Sequence, residues 1–119
     1  MSEREMLEMA ARAAGMQGDF ALDDDDRVIH CEARGFMLGY SRGWWNPLAD
    51  DGDALRLAVR LEIQAGYTEF SGEGVALWNR GNCQAREYGP DDPCAATRLA
   101  IVRASAEIGR EMSTDHTKG

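Results

Sequence analysis

The chain has 119 residues, enough for one domain around a single hydrophobic core and too few for two. Its 44% hydrophobic and 29% charged residues are those of a globular protein, with 13 glycines against 3 prolines favouring tight turns. A net charge of −8 argues against binding a nucleic-acid backbone or an anionic membrane surface, and no apolar run approaches the ~20 residues that span a bilayer, so a cytoplasmic protein is expected.

The opening residues 1–14 are charged and amphipathic rather than signal-like. Ser2 and Glu5 have the spacing of a capping box, and Met6, Leu7, Met9, Ala10, Ala11, Ala13 and Ala14 continue it as a small-residue helix that Gly15 ends. Asp23 to Asp26 is a run of like charges read as a solvated loop. It lacks the alternating oxygen ligands, the sixth-position glycine and the distal glutamate of a calcium loop. Arg27 to Glu32 and Gly35 to Ser41 alternate as strands, joined at Ala33-Arg34.

Asn46-Pro47 then breaks the extended chain, and Asp50 or Asp51 caps a second helix. Its apolar face is expected to comprise Ala54, Leu55, Ala58, Val59 and Leu61, with Arg56, Arg60 and Gln64 opposite and Gly66 closing it. Three strands follow, Tyr67 to Ser71, Gly74 to Trp78 and Asn82 to Tyr88, separated by Gly72 and by the turn Asn79-Arg80-Gly81. They form an antiparallel meander. After Gly89-Pro90, Asp91 or Asp92 caps a helix that begins at Pro93 and runs to about Met112, leaving 113–119 as a flexible tail.

This last helix carries two apolar stripes, Ala95, Leu99, Val102 and Ala106 on one side and Ile101, Ala104, Ile108 and Met112 nearly opposite. One stripe can pack on a sheet; the other needs a second helix or a second subunit, and a homodimer is expected. Residues 1–112 thus read as one α+β domain, an antiparallel sheet of about four to five strands packed with helices.

The chain also resembles the small phage and prophage proteins described as having a phage ABA sandwich domain. The resemblance rests on Glu5-Met6-Leu7-Glu8-Met9-Ala10-Ala11-Arg12-Ala13-Ala14-Gly15, on Trp45-Asn46-Pro47-Leu48 with Asp50-Asp51-Gly52-Asp53-Ala54-Leu55-Arg56-Leu57-Ala58-Val59, and on residues 100–109. The acidic run Asp23 to Asp26 departs from that pattern. The resemblance implies an α-β-α sandwich and a phage origin, and brings no catalytic set with it.

Chemistry is read by elimination. His30 sits beside Cys31 in a strand, where adjacent side chains point to opposite faces and form no nucleophile–base pair. The second histidine, His116, lies in the tail. No Gly-x-Ser-x-Gly turn or phosphate-binding Gly-x-x-x-x-Gly-Lys loop occurs, and the single lysine is Lys118. Glu69 and Glu87 are read as solvated carboxylates on neighbouring strands. Cys31, Cys83 and Cys94 are odd in number and lack zinc spacing, as free thiols do. The chain is therefore expected to be non-enzymatic, with no metal and no cofactor.

Binding residues are easier to place. Arg42, Trp44, Trp45 and Asn46 lie in a glycine-flanked loop that offers flat rings and bidentate donors for a base or a phosphate. Arg80 and Arg86, with Trp78 and Tyr88 on nearby strands, add cations and rings. The competing reading is that one indole plugs the core and the other covers the start of the second helix, with Asp51 and Asp53 as helix caps. With the phage resemblance, the first function is a protein that sequesters a small nucleotide-type immune signal of the bacterial host. The alternative is an acidic inhibitor that covers a host defence protein, such as a nucleic-acid-guided complex, by mimicking DNA charge. A phage housekeeping role is the third.

Overall fold

The computed structural model describes residues 2–15, 20–22, 28–30 and 44–118, which hold three helices and six strands in an α+β arrangement. The order is α1 (Glu3–Ala13), β1 (Phe20–Leu22), β2 (Val28–His30), β3 (Trp44–Trp45), α2 (Asp51–Arg60), β4 (Gln64–Thr68), β5 (Glu73–Trp78), β6 (Cys83–Tyr88) and α3 (Pro93–Lys118). Among the described residues the strands form two antiparallel sheets of three, β1-β2-β3 and β4-β5-β6; a single sheet of four to five strands is not seen among them. The proposed strand at Gly35 to Ser41, the acidic run Asp23 to Asp26 and Cys31 lie outside the described residues. None of the described helices is long and apolar enough to cross a membrane.

Helix α1 forms as its sequence predicts. The Ser2 hydroxyl accepts the Glu5 amide at 3.1 Å, and the Glu5 carboxylate reaches back to the Ser2 amide, completing the capping box. Gly15, at φ +81°, turns the chain out of the helix where a side chain would be strained.

Helix α2 ends earlier than expected. Glu62 adopts φ 57° and donates its N–H to the Val59 carbonyl, while Ile63 donates to Ala58 at 2.8 Å. This is a Schellman-type stop with glutamate in the position glycine usually fills. The chain therefore enters β4 at Gln64, and Gly66 sits inside that strand instead of capping the helix. The buried face of α2 is also rotated from the one expected. Ala54, Leu57 and Ala58 are enclosed, whereas Leu55 and Val59 are 64% and 70% exposed.

The meander forms in the expected order, pairing Ala65 with Ala76 and Ala76 with Ala85. Burial alternates along β5, with Gly74 and Ala76 facing inward. Helix α3 lies on that inner face and α1 packs on α3, so sheet, long helix and short helix stack in succession. Two glycines permit the close approach. A Cβ at Gly74 would lie 2.4 Å from the Ala96 backbone, and one at Gly109 would lie 2.0 Å from the Met9 carbonyl oxygen.

Ala100, Ile101, Val102, Ala104, Ser105 and Ala106 are all buried, as in a helix enclosed on most sides. Of the second stripe, Ile101 and Ala104 are buried within the chain, whereas Met112 is 47% exposed. The α3 backbone stays helical past Met112 to Lys118, across residues read from sequence as a tail.

Candidate functional site

The proposed loop around Trp45 is built as a structural joint. Trp45 is 1% exposed and belongs to the main core cluster with Leu57, Ile63 and Val102. The following turn is closed by its own polar groups. The Asn46 side-chain oxygen accepts the Leu48 amide at 3.0 Å, and its carbonyl accepts Ala49 and Asp50 at 3.1 and 2.9 Å.

Asp50 then caps α2 by accepting the Asp53 amide at 2.8 Å. Asp53 itself is 2% exposed, accepts the Asn46 amide at 2.9 Å and pairs with Arg56. Arg98 of α3 ties the joint to the core, donating from Nε to the Leu48 carbonyl at 2.8 Å and pairing with Asp51. Asp51 and Asp53 thus stand in the first turn of α2, and the cap role expected of them falls to Asp50.

Of the six proposed ligand residues, Trp45 and Asn46 are enclosed in this joint. Trp44 stands in β3 opposite Ile29, and Arg42 lies outside the described residues. Arg80 is exposed in the β5–β6 turn at φ 57°. Arg86 is exposed on β6, opposite Val75, on the sheet face turned away from α3. There it donates to Glu73 at 2.8 Å. The Ser71 hydroxyl and this guanidinium hold the Glu73 carboxyl below the usual carboxylate range, against a smaller opposing effect of burial. Arg80 and Arg86 belong to the β5–β6 hairpin and Trp44 to the first sheet, so the five described residues are spread over two sheets.

A different set converges between α1, the β5–β6 hairpin and α3. The two strands and the helix leave an open cleft of about 600 Å³, within the size range of small-ligand sites. Its apolar floor is formed by Met6, Trp78, Ala85 and Ala106, and its rim by charged side chains of β6 and α3. Trp78 faces inward because it pairs with Cys83 on the helix-covered face of the sheet. Its indole N–H is buried and has no acceptor among the described residues. The Trp45 N–H shares that condition, but in a closed surrounding.

Arg103 Nε pairs with Glu87 across the cleft, and its guanidinium carries further N–H donors on the Nη nitrogens. Arg110 holds both carboxylate oxygens of Glu107 at 2.8 and 2.7 Å. Both arginine side chains are about half exposed, at 48% and 57%, so these pairs stand in water and exchange easily.

Cys83 lines the same cleft, where Asn79 Nδ2 approaches its sulfur at 4.0 Å, and no histidine is among the lining residues. Among the described residues no three His, Cys, Asp or Glu side chains cluster as a metal site would require. The arrangement offers stacking, hydrogen-bond donors and exchangeable ion pairs, which are elements of recognition.

Sequence reasoning noted Trp78 but missed Arg103 and Arg110, whose spacing on α3 reads as a solvated face. Their convergence on Trp78 depends on how α3 crosses the sheet at Gly74. Comparison with protein-family models, with curated proteins and with solved structures finds no match.

Proposed function

We propose that this protein is a non-enzymatic binding module that sequesters a small nucleotide-type molecule in the cleft between α1, β6 and α3. The observation that carries the reading is the convergence of the Trp78 indole with the Arg103 and Arg110 guanidiniums around an open cavity of about 600 Å³. An aromatic ring suits a base, an unpartnered indole N–H seeks an acceptor, and guanidiniums in surface ion pairs can exchange a carboxylate for a phosphate. With the resemblance to phage ABA sandwich proteins, the ligand is an immune signal of a bacterial host and the protein acts in the host cytoplasm. Binding alone removes such a signal, so no turnover is required.

The test is to incubate the purified protein with lysate of phage-infected cells, re-isolate it, denature it and analyse the released small molecules by mass spectrometry. An intact nucleotide in stoichiometric amount, lost from Trp78→Ala and from Arg103→Ala, is the expected result. Release of cleavage products would replace sequestration with catalysis, and an empty protein would remove the ligand altogether.

The alternative, an acidic inhibitor of a host defence protein, draws on the −8 charge and on Asp91 and Asp92, both exposed at the turn before α3. A host protein retained at low salt and released at high salt would favour it.

A further inference from the structure

The rim of the cleft carries three carboxylates, Glu87, Glu107 and Glu111, against two guanidiniums, Arg103 and Arg110. Arg103 is matched by Glu87 and Arg110 by Glu107. Glu111, exposed and one helical turn beyond Glu107, has no ion-pair partner among the described residues. A ligand that brought only phosphate would therefore meet a surplus of negative charge. The extra carboxylate calls for a ligand that also carries N–H donors.

The groups are spread along the cleft. Cys83 pairs with Trp78 and Glu87 with Gly74, four residues apart on β6, which separates them by about 13 Å. Arg103 stands at the Glu87 end through its ion pair, with Nη donors left for a phosphate. Glu107, Arg110 and Glu111 follow on the next turns of α3, Glu111 about 12 Å along the helix axis from Arg103. The phosphate of a nucleotide at Arg103 thus leaves its base to Trp78 and to the charged trio beyond.

Resting on the nucleotide reading of this cleft, we propose that the base bound at Trp78 is guanine, recognised by Arg110 together with the carboxylates of Glu107 and Glu111. The polar edge of guanine runs from acceptors at N7 and O6 to donors at N1–H and the 2-amino group. An arginine fits the first pair, and a carboxylate accepts the second with its two oxygens. Arg110, three residues from Glu107 and next to Glu111, offers donors beside acceptors on the rim of one cleft. Adenine places an acceptor at N1, where it would face the carboxylate, and hypoxanthine has N1–H but no 2-amino group. Trp78 supplies the stacking surface, and its buried N–H, which has no acceptor among the described residues, takes a ligand oxygen.

The test follows the Trp78 indole N–H by heteronuclear NMR while the 5′-monophosphates of guanosine, inosine and adenosine are titrated in, with Trp78→Phe assigning the signal. GMP should move it with an affinity at least ~10-fold above that of IMP or AMP, as expected when a hydrogen bond to a charged group is lost. The double variant Glu107→Gln/Glu111→Gln should bring the three nucleotides within about threefold of one another, because a neutral amide no longer favours two donors over an acceptor. Wild-type protein that binds AMP or IMP as tightly as GMP overturns the guanine assignment while leaving the nucleotide site standing. So does a preference for GMP that survives the double variant. If none of the three moves the signal, the nucleotide site itself fails and guanine falls with it.

Discussion

Trp45 and Trp78 are each partly explained by their neighbours, but the neighbours differ in kind. Around Trp45 the chain is local and closed: Asn46, Asp50 and Asp53 satisfy one another's amides within eight residues, and Arg98 fastens the turn to α3. Around Trp78 the partners are distant in sequence and open to water, with Arg103 and Arg110 held by carboxylates they can release. A dense local cluster whose backbone amides find acceptors within a few residues therefore marks a joint, although the Trp45 indole N–H itself has no acceptor among the described residues. A sparse cluster assembled by tertiary packing leaves its donors exchangeable. On the proposed function, the first tryptophan serves stability and the second recognition.

The largest expected effect tests that assignment directly. Trp45→Ala removes a fully enclosed indole from the core and should destabilise the protein by about 3–5 kcal/mol. Trp78→Ala opens a side chain already at a cleft and should cost less, while abolishing ligand uptake. Chemical denaturation of the two variants gives the comparison. A milder loss for Trp45 than for Trp78 would reverse the roles.

Asp53→Ala is expected next, at about 2–3 kcal/mol, because it leaves the buried Asn46 amide without its acceptor and removes the ion pair to Arg56. Asn at position 53 keeps an acceptor and should recover part of the loss. Equal destabilisation by both substitutions would mean that the charge, rather than the hydrogen bond, holds the joint.

Much of this joint was legible in the sequence, since capping boxes, Asx turns and N-caps are short-range devices whose residue types announce them. Ser2 with Glu5 and Asp50 before α2 are such cases, and so is the Asn79-Arg80-Gly81 turn, which sets the β5–β6 hairpin. What was not legible depended on exceptions or on distance. The end of α2 was missed because Glu62 takes a conformation usually left to glycine, at some cost in strain, where Ile63 gains burial by closing the motif. The strand Phe20–Leu22 is too short to show a period. The cleft was missed because no sequence interval links Trp78 to Arg103; only the crossing of α3 over Gly74 does.

Arg103→Ala and Arg110→Ala sharpen the other side of the comparison. Each breaks a surface ion pair, so stability should change by no more than about 1 kcal/mol. Ligand affinity should fall at least ~10-fold for each, as expected on loss of a charge-assisted contact. Isothermal titration with the nucleotide identified by mass spectrometry, beside denaturation of the same variants, separates the two quantities. Affinity unchanged in both variants would move the phosphate away from α3 and leave the cleft as a surface irregularity.

The smallest effect lies on the outer face of the meander, where Arg86 belongs to the sheet's own electrostatics. The Ser71 hydroxyl and the Arg86 guanidinium favour the ionised form of Glu73 and lower its pKa in the folded state. A carboxyl lowered on folding contributes stability above its unfolded pKa, and that contribution fades as the pH falls through the folded value. Arg86→Gln should move the Glu73 midpoint upward, toward the ordinary carboxylate range, and reduce this acid dependence; carbon-detected NMR titration of the Glu73 carboxyl reads the shift. If the midpoint stays low, Ser71 alone holds the carboxylate and Ser71→Ala becomes the variant that moves it. Arg86 would then have a guanidinium to spare for an anion, restoring to the outer face the ligand role that its pairing with Glu73 now argues against.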